Sequence, residues 1–433
     1  MLENALHAFL SRKISSGNLR VGFPSGRTER YGDGSGPLLA VRIAGPRTLL
    51  AMLLDPGLAV AEAYMDGRLV VEEGGIYDLI ALAKSNTRPE VLTPAARIQH
   101  LRRSLTWAPV LRAVGIERGR ANVAHHYDLD ERLYGLFLDG DMQYSCAYWE
   151  RPGMTLDQAQ LAKKRLIAAK LLVRPGARVL DIGSGWGGMA LYLARVCGAK
   201  VTGITLSQEQ LRVSTERAAA AGLADRVRFR LQDYREVPES FDNIVSVGMF
   251  EHVGLRQYPT FFRTVRRLLE PDGVMLLHSM AQPAAAPYNQ PFIEKYIFPG
   301  GHIPVLSEVF PAVEKAGLLV RDTEILSLHY AETTRAWRRR FLANRKRVLE
   351  LYDERFLRMW EFYLAGSECA FRYDRIHVAH LQLALDQARV PLTRDYIPAT
   401  MARLAQAELA VPDYAQLHEA PLPEPALRRS GTS

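Results

Sequence analysis

Residues 181–188 read Asp-Ile-Gly-Ser-Gly-Trp-Gly-Gly, an acid followed by a nearly bare loop between an apolar run and a helical pattern. Gly183, Gly185 and Gly187 lack a Cβ, so the backbone there can turn sharply and approach a ligand closely. Three readings suit such a loop. Gly183-x-Gly185-x-x-Gly188 satisfies the dinucleotide fingerprint, but that chemistry needs an acid about 20 residues further on to hold a ribose. The stretch in question reads Gly-Ile-Thr-Leu-Ser-Gln-Glu-Gln, and its first acid, Glu209, falls inside the next helical pattern. Asp181, directly ahead of the glycines, suits S-adenosylmethionine instead, a nucleoside with a cationic sulfonium and an amino-acid tail but no pyrophosphate. A tight strand-to-helix turn without a ligand is the third reading.

A second cluster stands at residues 246–254, Ser-Val-Gly-Met-Phe-Glu-His-Val-Gly. This is not the Asp/Asn-Pro-Pro-Tyr type of sequence that marks methylation of an amide or adenine nitrogen. Glu251, beside Phe250, is expected to be partly desolvated, which suits a carboxylate to acid–base work. It could equally accept amides from the helix that follows. His252 reads as a histidine satisfied at the start of that helix.

These residues must be positioned by strands and crossover helices. Thr155 and Gln158 make a capping box before a helix to about residue 172, and Ser207 with Gln210 makes a second one. "RVLDIG", "KVTGITL", "RVRFRLQD", "FDNIVSVGM" and "GVMLLHSM" read as strands separated by helices. That alternation predicts an α/β fold with a doubly wound, mostly parallel sheet, its ligands outside the carboxyl ends of the strands where the order reverses. A proline-rich insertion at 281–305 interrupts the sheet, and long helical stretches are expected at about 331–365 and 368–388. The linear division is a small α/β accessory domain at 1–85, a basic linker at 86–121, a catalytic domain at 122–395 and a tail at 396–433. Between residues 97 and 120 of the linker, Arg97, Arg102, Arg103, Arg112, Arg118 and Arg120 face one acid, Glu117.

Composition narrows the function. The 433 residues are 48% apolar, with a net charge of +8 and three well-separated cysteines. The cysteine spacing suggests neither a disulfide frame nor a zinc site, and no metal is expected. No apolar run is long enough to cross a bilayer, and the first twenty residues lack a signal-peptide core, so a cytoplasmic protein is expected. The positive charge favours an anionic surface or polymer. No nucleic-acid module is present. "RAWRRRFLANRKR", residues 335–347, carries seven basic residues and no acid. With Trp337, Phe341 and Leu342 it could rest among lipid headgroups, or it could be a solvated helix face.

The chain resembles the cyclopropane-fatty-acyl-phospholipid synthases. Carrying the resemblance are "HHYDLDERLYGLFLDGDMQYSCAYW", "QAQLAKKRLI", "VLDIGSGWGGMALYLA", "GITLSQEQ", "LQDYRE", "VSVGMFEHVG", "LLHS", "FIEKYIFPGG" and "HYAETTRAW", which span about 122–345 in the family's order. "AEAYMDGRL" extends it to the accessory domain of the longer members. The resemblance implies a class I methyltransferase fold and methyl transfer from S-adenosylmethionine to a cis double bond in a phospholipid acyl chain. It implies a carbocation deprotonated by bound bicarbonate to close the ring. It places Cys146, Glu251, His278, Tyr330 and the amide of Met280 around that ion. Tyr127, Tyr144 and Ser145 would cover the methionine end of the cofactor, with Asp181, Gly183 and Gly185 beneath it. Thr205, Leu206 and Gln210 would take the ribose, and Gln232, Asp233 and Tyr234 the adenine. Each residue also has a structural reading: Cys146 as a small buried hydrophobe, His278 as a core histidine, Tyr330 as a cap on a surface strand. After the histidine the chain has Ser279-Met280-Ala281 where family members often have Thr-Ile-Gly. That departure bears on acyl-chain fit and product. The implied partners are phospholipid acyl chains at an anionic membrane surface, approached peripherally from the inner face, with a homodimer as an open assembly. Alternatives are a methyl-branched or methylene product, a non-catalytic lipid-binding homologue, and a nicotinamide oxidoreductase.

Overall fold

The computed structural model describes residues 1–87, 131–284 and 290–419. Tyr127, the basic linker from residue 88 onward and the last residues of the tail lie outside these. The described residues form two compact units: 1–87, 290–301 and 334–376 make the first, and 131–284, 302–333 and 377–419 the second. Residues 334–376 therefore group with the amino-terminal unit rather than with the sheet that flanks them in sequence.

The first unit opens with α1 (Leu2–Lys13), β1 (Leu19–Gly22), β2 (Thr28–Tyr31), β3 (Leu39–Ile43), α2 (Pro46–Leu54), α3 (Pro56–Met65), β4 (Leu69–Glu73) and α4 (Ile76–Ser85). Its sheet runs β2-β1-β3-β4, with β1 and β3 parallel. Leu6, Leu19, Val21, Val41, Leu49 and Met52 fill its core.

The second unit contains α5 (Glu131–Gly135), α6 (Leu156–Leu171), β5 (Arg178–Ile182), α7 (Gly188–Cys197), β6 (Lys200–Thr205), α8 (Gln208–Ala220), β7 (Val227–Leu231), β8 (Phe241–Val247), α9 (Tyr258–Leu268), β9 (Leu269–Ala281), α10 (Leu306–Lys315) and β10 (Leu319–Ile325). Helix α11 (His329–Ala343) begins in this unit and ends in the first, which then takes α12 (Arg345–Leu351) and α13 (Glu354–Tyr373). The chain returns with β11 (His377–Ala384), α14 (Tyr396–Glu408) and α15 (Pro412–Glu419). The sheet order is β10-β11-β9-β8-β5-β6-β7. Strands β7, β6, β5, β8 and β9 are parallel, and β11 and β10 are antiparallel additions. The order reverses between β5 and β8, so the glycine loop after β5 and the Glu251 segment after β8 share one crevice-forming edge.

The capping box of α6 is complete: Thr155 Oγ1 accepts the Gln158 amide at 3.2 Å, and Gln158 Oε1 accepts the Thr155 amide at 2.9 Å. The second box is half made. Ser207 Oγ accepts the Gln210 amide at 3.2 Å, but the Gln210 side chain turns to Thr205 Oγ1, at 2.7 Å.

One helical expectation is corrected, and so is the exposure expected of a basic helix. Residues 377–384, inside the stretch read as a helix at 368–388, form strand β11 against β9. All of its residues but His377 are buried, the polar His380 and Gln382 included, so both faces of the strand are covered. Of the apolar residues in 335–347, Trp337 and Phe341, four apart on one face of α11, are fully buried, while Leu342 is half-buried. Arg338 is engaged as well, 3.0 Å from the buried Glu368 and with its guanidinium 4.3 Å over the Tyr77 ring. Arg339, Arg345, Lys346 and Arg347 are exposed. Among the described residues no helix is long and apolar enough to cross a membrane.

Candidate active site

Of the loop glycines, three are explained by protein neighbours. A Cβ at Gly183, which has φ +81°, would lie 2.7 Å from the Met249 side chain; at Gly187 it would lie 2.6 Å from Phe229 Cζ; at Gly188 it would collide with Asp141 and Gln143. Gly185 differs. Its φ is +53°, and a Cβ there would meet no protein atom within 4 Å. Beneath the loop Asp181 is buried at 2% exposure, and its Oδ2 has no partner among the described residues. Burial pushes its carboxyl up to about 7, against the opposing pull of Lys163. An unbalanced buried acid beside an open backbone is what an adenosine-linked cation with an amino-acid tail would complete.

The other cofactor candidates gather at the same strand ends. Ser145 lies beside the turn after β8, where a Cβ at Gly248 would be 3.9 Å from its own Cβ. Tyr144 packs edge-on against Tyr134, with ring centroids 5.3 Å apart. Thr205 closes β6, and Leu206 follows it. Gln232 continues the ladder beyond β7, its amide donating to the Thr205 carbonyl at 3.1 Å. Asp233 is buried and paired with Arg235 at 2.5 Å, and Tyr234 packs on Phe261. Trp186 and Tyr192 are core residues at 4% and 0% exposure.

The second constellation is built on β9. Glu251, in a short 3-10 turn after β8, is 5% exposed. Its Oε1 accepts the Met280 amide at 2.6 Å, so the amide expected to face an oxyanion is engaged by Glu251 itself. Glu251 Oε2 has no partner among the described residues. Burial pushes this carboxyl up, opposed by the Met280 amide, its own amide and the Ser279 hydroxyl. Met280 and Tyr330 pack on one apolar cluster with Cys146, Leu166 and Ala169. His278, two residues before Met280, presents its side chain to the same face of the sheet. Tyr330 sits in the first turn of α11, not on a strand. The Cys146 thiol donates to the Ala147 carbonyl at 3.3 Å, and burial pushes it up. The structure thus brings Cys146, Glu251, His278, Met280 and Tyr330 to one buried region.

Sequence reasoning passed over several groups here. Lys163, fully buried on α6, donates to Gln143 Oε1 at 2.5 Å and Ser145 Oγ at 2.9 Å. Burial pulls its ammonium down to about 8, with Asp139 the leading opposing charge. Lys170 lies two turns along the same helix. Both cations bear on His278, whose imidazole burial already holds well below its ordinary value. Thr333 Oγ1 accepts the Ala147 amide and the Trp149 indole, each at 3.1 Å, and His329 Nδ1 accepts the Trp149 amide at 2.9 Å. The available signal was lysines at seven-residue spacing within the apolar pattern of α6.

The family model for mycolic acid cyclopropane synthetase matches residues 116–381. The chain belongs to this family. A second model, for a domain of unknown function, matches residues 5–92. The cyclopropane-fatty-acyl-phospholipid synthase of Escherichia coli is 36% identical over 342 residues, 78% of this chain and 86% of that protein. The tuberculostearic acid methyltransferase of Mycobacterium tuberculosis is 35% identical over 383 residues, 83% of this chain and 86% of that protein. Among solved structures, mycolic acid cyclopropane synthase CmaA1, complexed with SAH and CTAB, is 35% identical with a TM-score of 0.58, covering 61% of this chain and 97% of that one. The chain is thus an S-adenosylmethionine-dependent methyltransferase of the cyclopropane synthetase family, on the class I α/β fold. The dinucleotide and nicotinamide readings of its glycine loop are set aside.

Proposed function

We propose that this enzyme transfers a methylene from S-adenosylmethionine to the cis double bond of a phospholipid acyl chain, closing a cyclopropane ring. An alkene is a weak nucleophile, so methyl donor and double bond must be held in line in a dry pocket. Methyl addition leaves a carbocation, and loss of a proton from the new methyl closes the ring, which requires a base within reach. Bound bicarbonate would supply that base. Glu251 Oε2 would orient it by accepting its hydroxyl proton in a hydrogen bond, while His278 and Tyr330 would donate to its charged oxygens, and the Cys146 thiol would do so by turning from the Ala147 carbonyl. Lys163 and Lys170 add the positive potential that favours a small anion in a buried place. Asp181 faces the cationic end of the cofactor, with Gly183 and Gly185 beneath it; Thr205 and Gln210 bear on the ribose, and Asp233 on the adenine. Exposed Arg339, Lys346 and Arg347 meet anionic headgroups.

The observation that carries this reading is the orphaned Glu251 Oε2, whose sister oxygen is pinned to the Met280 amide next to Cys146 and Tyr330. Two relatives of nearly equal identity bear different product names, one a cyclopropane synthase and one a methyltransferase. Mass spectrometry of phospholipid acyl chains, from cells with and without the protein, separates the outcomes. A chain heavier by one CH2 that resists ozonolysis is the expected cyclopropane; a cleavable product is a methylene chain, and a saturated branched one a methyl chain. Glu251→Gln should lower ring formation at least about tenfold, roughly 1.4 kcal/mol of transition-state stabilisation, with cofactor affinity retained. Bicarbonate-depleted buffer should slow the parent enzyme reversibly. A parent rate indifferent to depletion would refute the oxyanion.

A further inference from the structure

Behind His278 runs a line of buried polar groups, of which the chemistry above uses only the charge of Lys170. His278 and His380 face each other across the β9–β11 pair, and His278 Nδ1 lies 2.8 Å from His380 Nε2. His380 Nδ1 lies 3.3 Å from Lys170 Nζ. Both histidines and Lys170 are buried, at 2%, 0% and 0% exposure. Lys170 is anchored by an ion pair with Glu324 and by Asp322 at 3.7 Å, and Arg394 holds Asp322 from the exposed side at 3.0 Å.

The order of this line fixes where its protons sit. A lysine ammonium donates and cannot accept. His380 Nδ1 must therefore accept from Lys170, so a neutral His380 carries its proton on Nε2. That proton points at His278 Nδ1, which must also accept. His278 is left neutral, with its proton on Nε2. Any other assignment sets two N–H groups head to head in a buried place. Burial holds both imidazoles well below their ordinary value, aided for His278 by Lys163 and Lys170 and for His380 by Lys170, His278, Lys163 and His329.

We propose that His380, backed by Lys170, is a positioning residue that locks His278 as an Nε2–H donor toward the oxyanion base. This rests on the oxyanion reading of Cys146, Glu251, His278 and Tyr330. The same polarity closes the line to outgoing protons, because His278 Nε2 is already protonated and cannot accept one. The proton removed from the new methyl therefore cannot leave through His278 and Lys170; bound bicarbonate would take it in a new O–H bond and carry it away as carbonic acid.

The test uses the full chain labelled with 15N-histidine. In the parent, His278 should show an unprotonated Nδ1 and a protonated Nε2, unchanged across roughly pH 5 to 8 where a free histidine titrates. His380→Leu should release His278 into mixed tautomers and raise the bicarbonate concentration for half-maximal rate by about tenfold, the worth of one hydrogen bond to a charged group. Rate at saturating bicarbonate and affinity for S-adenosylmethionine should change little. His380→Gln, whose amide can donate to His278 while accepting from Lys170, should restore most of the bicarbonate affinity. Lys170→Met should loosen the tautomer as His380→Leu does. A parent His278 protonated on Nδ1, or a folded His380→Leu variant with unaltered bicarbonate dependence, overturns the lock. A parent with the Nε2–H tautomer but no response to bicarbonate overturns the oxyanion reading alone.

Discussion

Asp181 shows how one residue can carry both a cost and a function. A carboxyl held up to about 7 in the folded protein binds a proton there that the unfolded chain has already released. Stability of the cofactor-free protein should therefore fall as pH rises from the ordinary carboxylate range, about 4, toward about 7. Asp181→Asn should flatten that fall, read by thermal unfolding across the window. The cationic cofactor favours the ionised acid, so its affinity should rise with pH through about 7 in the parent and stay level in Asp181→Asn; a parent affinity that is flat with pH would remove Asp181 from the cofactor site. Gly185→Val adds bulk where no protein atom stands, and in a folded variant it should abolish cofactor binding; unchanged affinity in calorimetry would count against this loop. The motif residues were legible because each announces itself locally: an acid before bare glycines, a carboxylate after a strand. Lys163, Lys170 and His380 were not. Their meaning depends on a helix lying over one face of the sheet, and on two strands about a hundred residues apart being neighbours.

At the scale of elements, the parallel strands and their crossover helices were readable because strand, turn and capping signals agree along 155–281. Strand β11 was not, since its alternation is confined to His380-Leu381-Gln382-Leu383 and its polar residues are buried with the apolar ones. The basic segment at 335–347 separates into two parts once α11 is seen. Arg338 is structural, paired with Glu368, so Arg338→Glu should set two acids together in a nearly buried place and lower the melting temperature. Lys346 and Arg347 on α12 are exposed. Lys346→Glu with Arg347→Glu should leave melting unchanged and weaken binding to anionic vesicles, each lost basic charge being worth about 1 kcal/mol near such a surface. Added salt should weaken the parent in the same direction, because screening acts over about 10 Å at 0.1 M. Sedimentation with vesicles measures both, and binding indifferent to charge and salt would show that this helix is not the docking element.

At the scale of the whole chain, the units are not collinear with the sequence: 334–376 joins the first unit, and 377–419 returns to the catalytic one. No local signal announces such a return. It is recorded in pairings between distant segments, one of them at Glu408. This fully buried carboxylate of α14 accepts Arg165 Nε at 3.0 Å and Nη2 at 2.8 Å, and the Tyr192 hydroxyl at 2.6 Å. His418 of α15 lies 2.7 Å away. Arg165 belongs to α6, the helix that also bears Lys163 and Lys170, so α14 and α15 hold the element on which the candidate site's cations are mounted. Glu408→Ala would leave Arg165, 8% exposed, with Glu150 at 3.3 Å as its one acid among the described residues, and breaking a buried pair in this way costs about 3–5 kcal/mol. Glu408→Gln keeps the shape and some of the hydrogen bonds, and should cost less. The paired change Arg165→Leu with Glu408→Leu removes both charges and should recover much of the loss, since well-packed apolar residues commonly replace a buried ion pair without penalty. Urea unfolding followed by tryptophan fluorescence, with Arg165→Leu completing the cycle, measures the coupling. If the two single losses simply add, the charge pair is not what fastens the returning segment, and Tyr192 and the apolar contacts of Leu404 and Tyr414 must hold it instead.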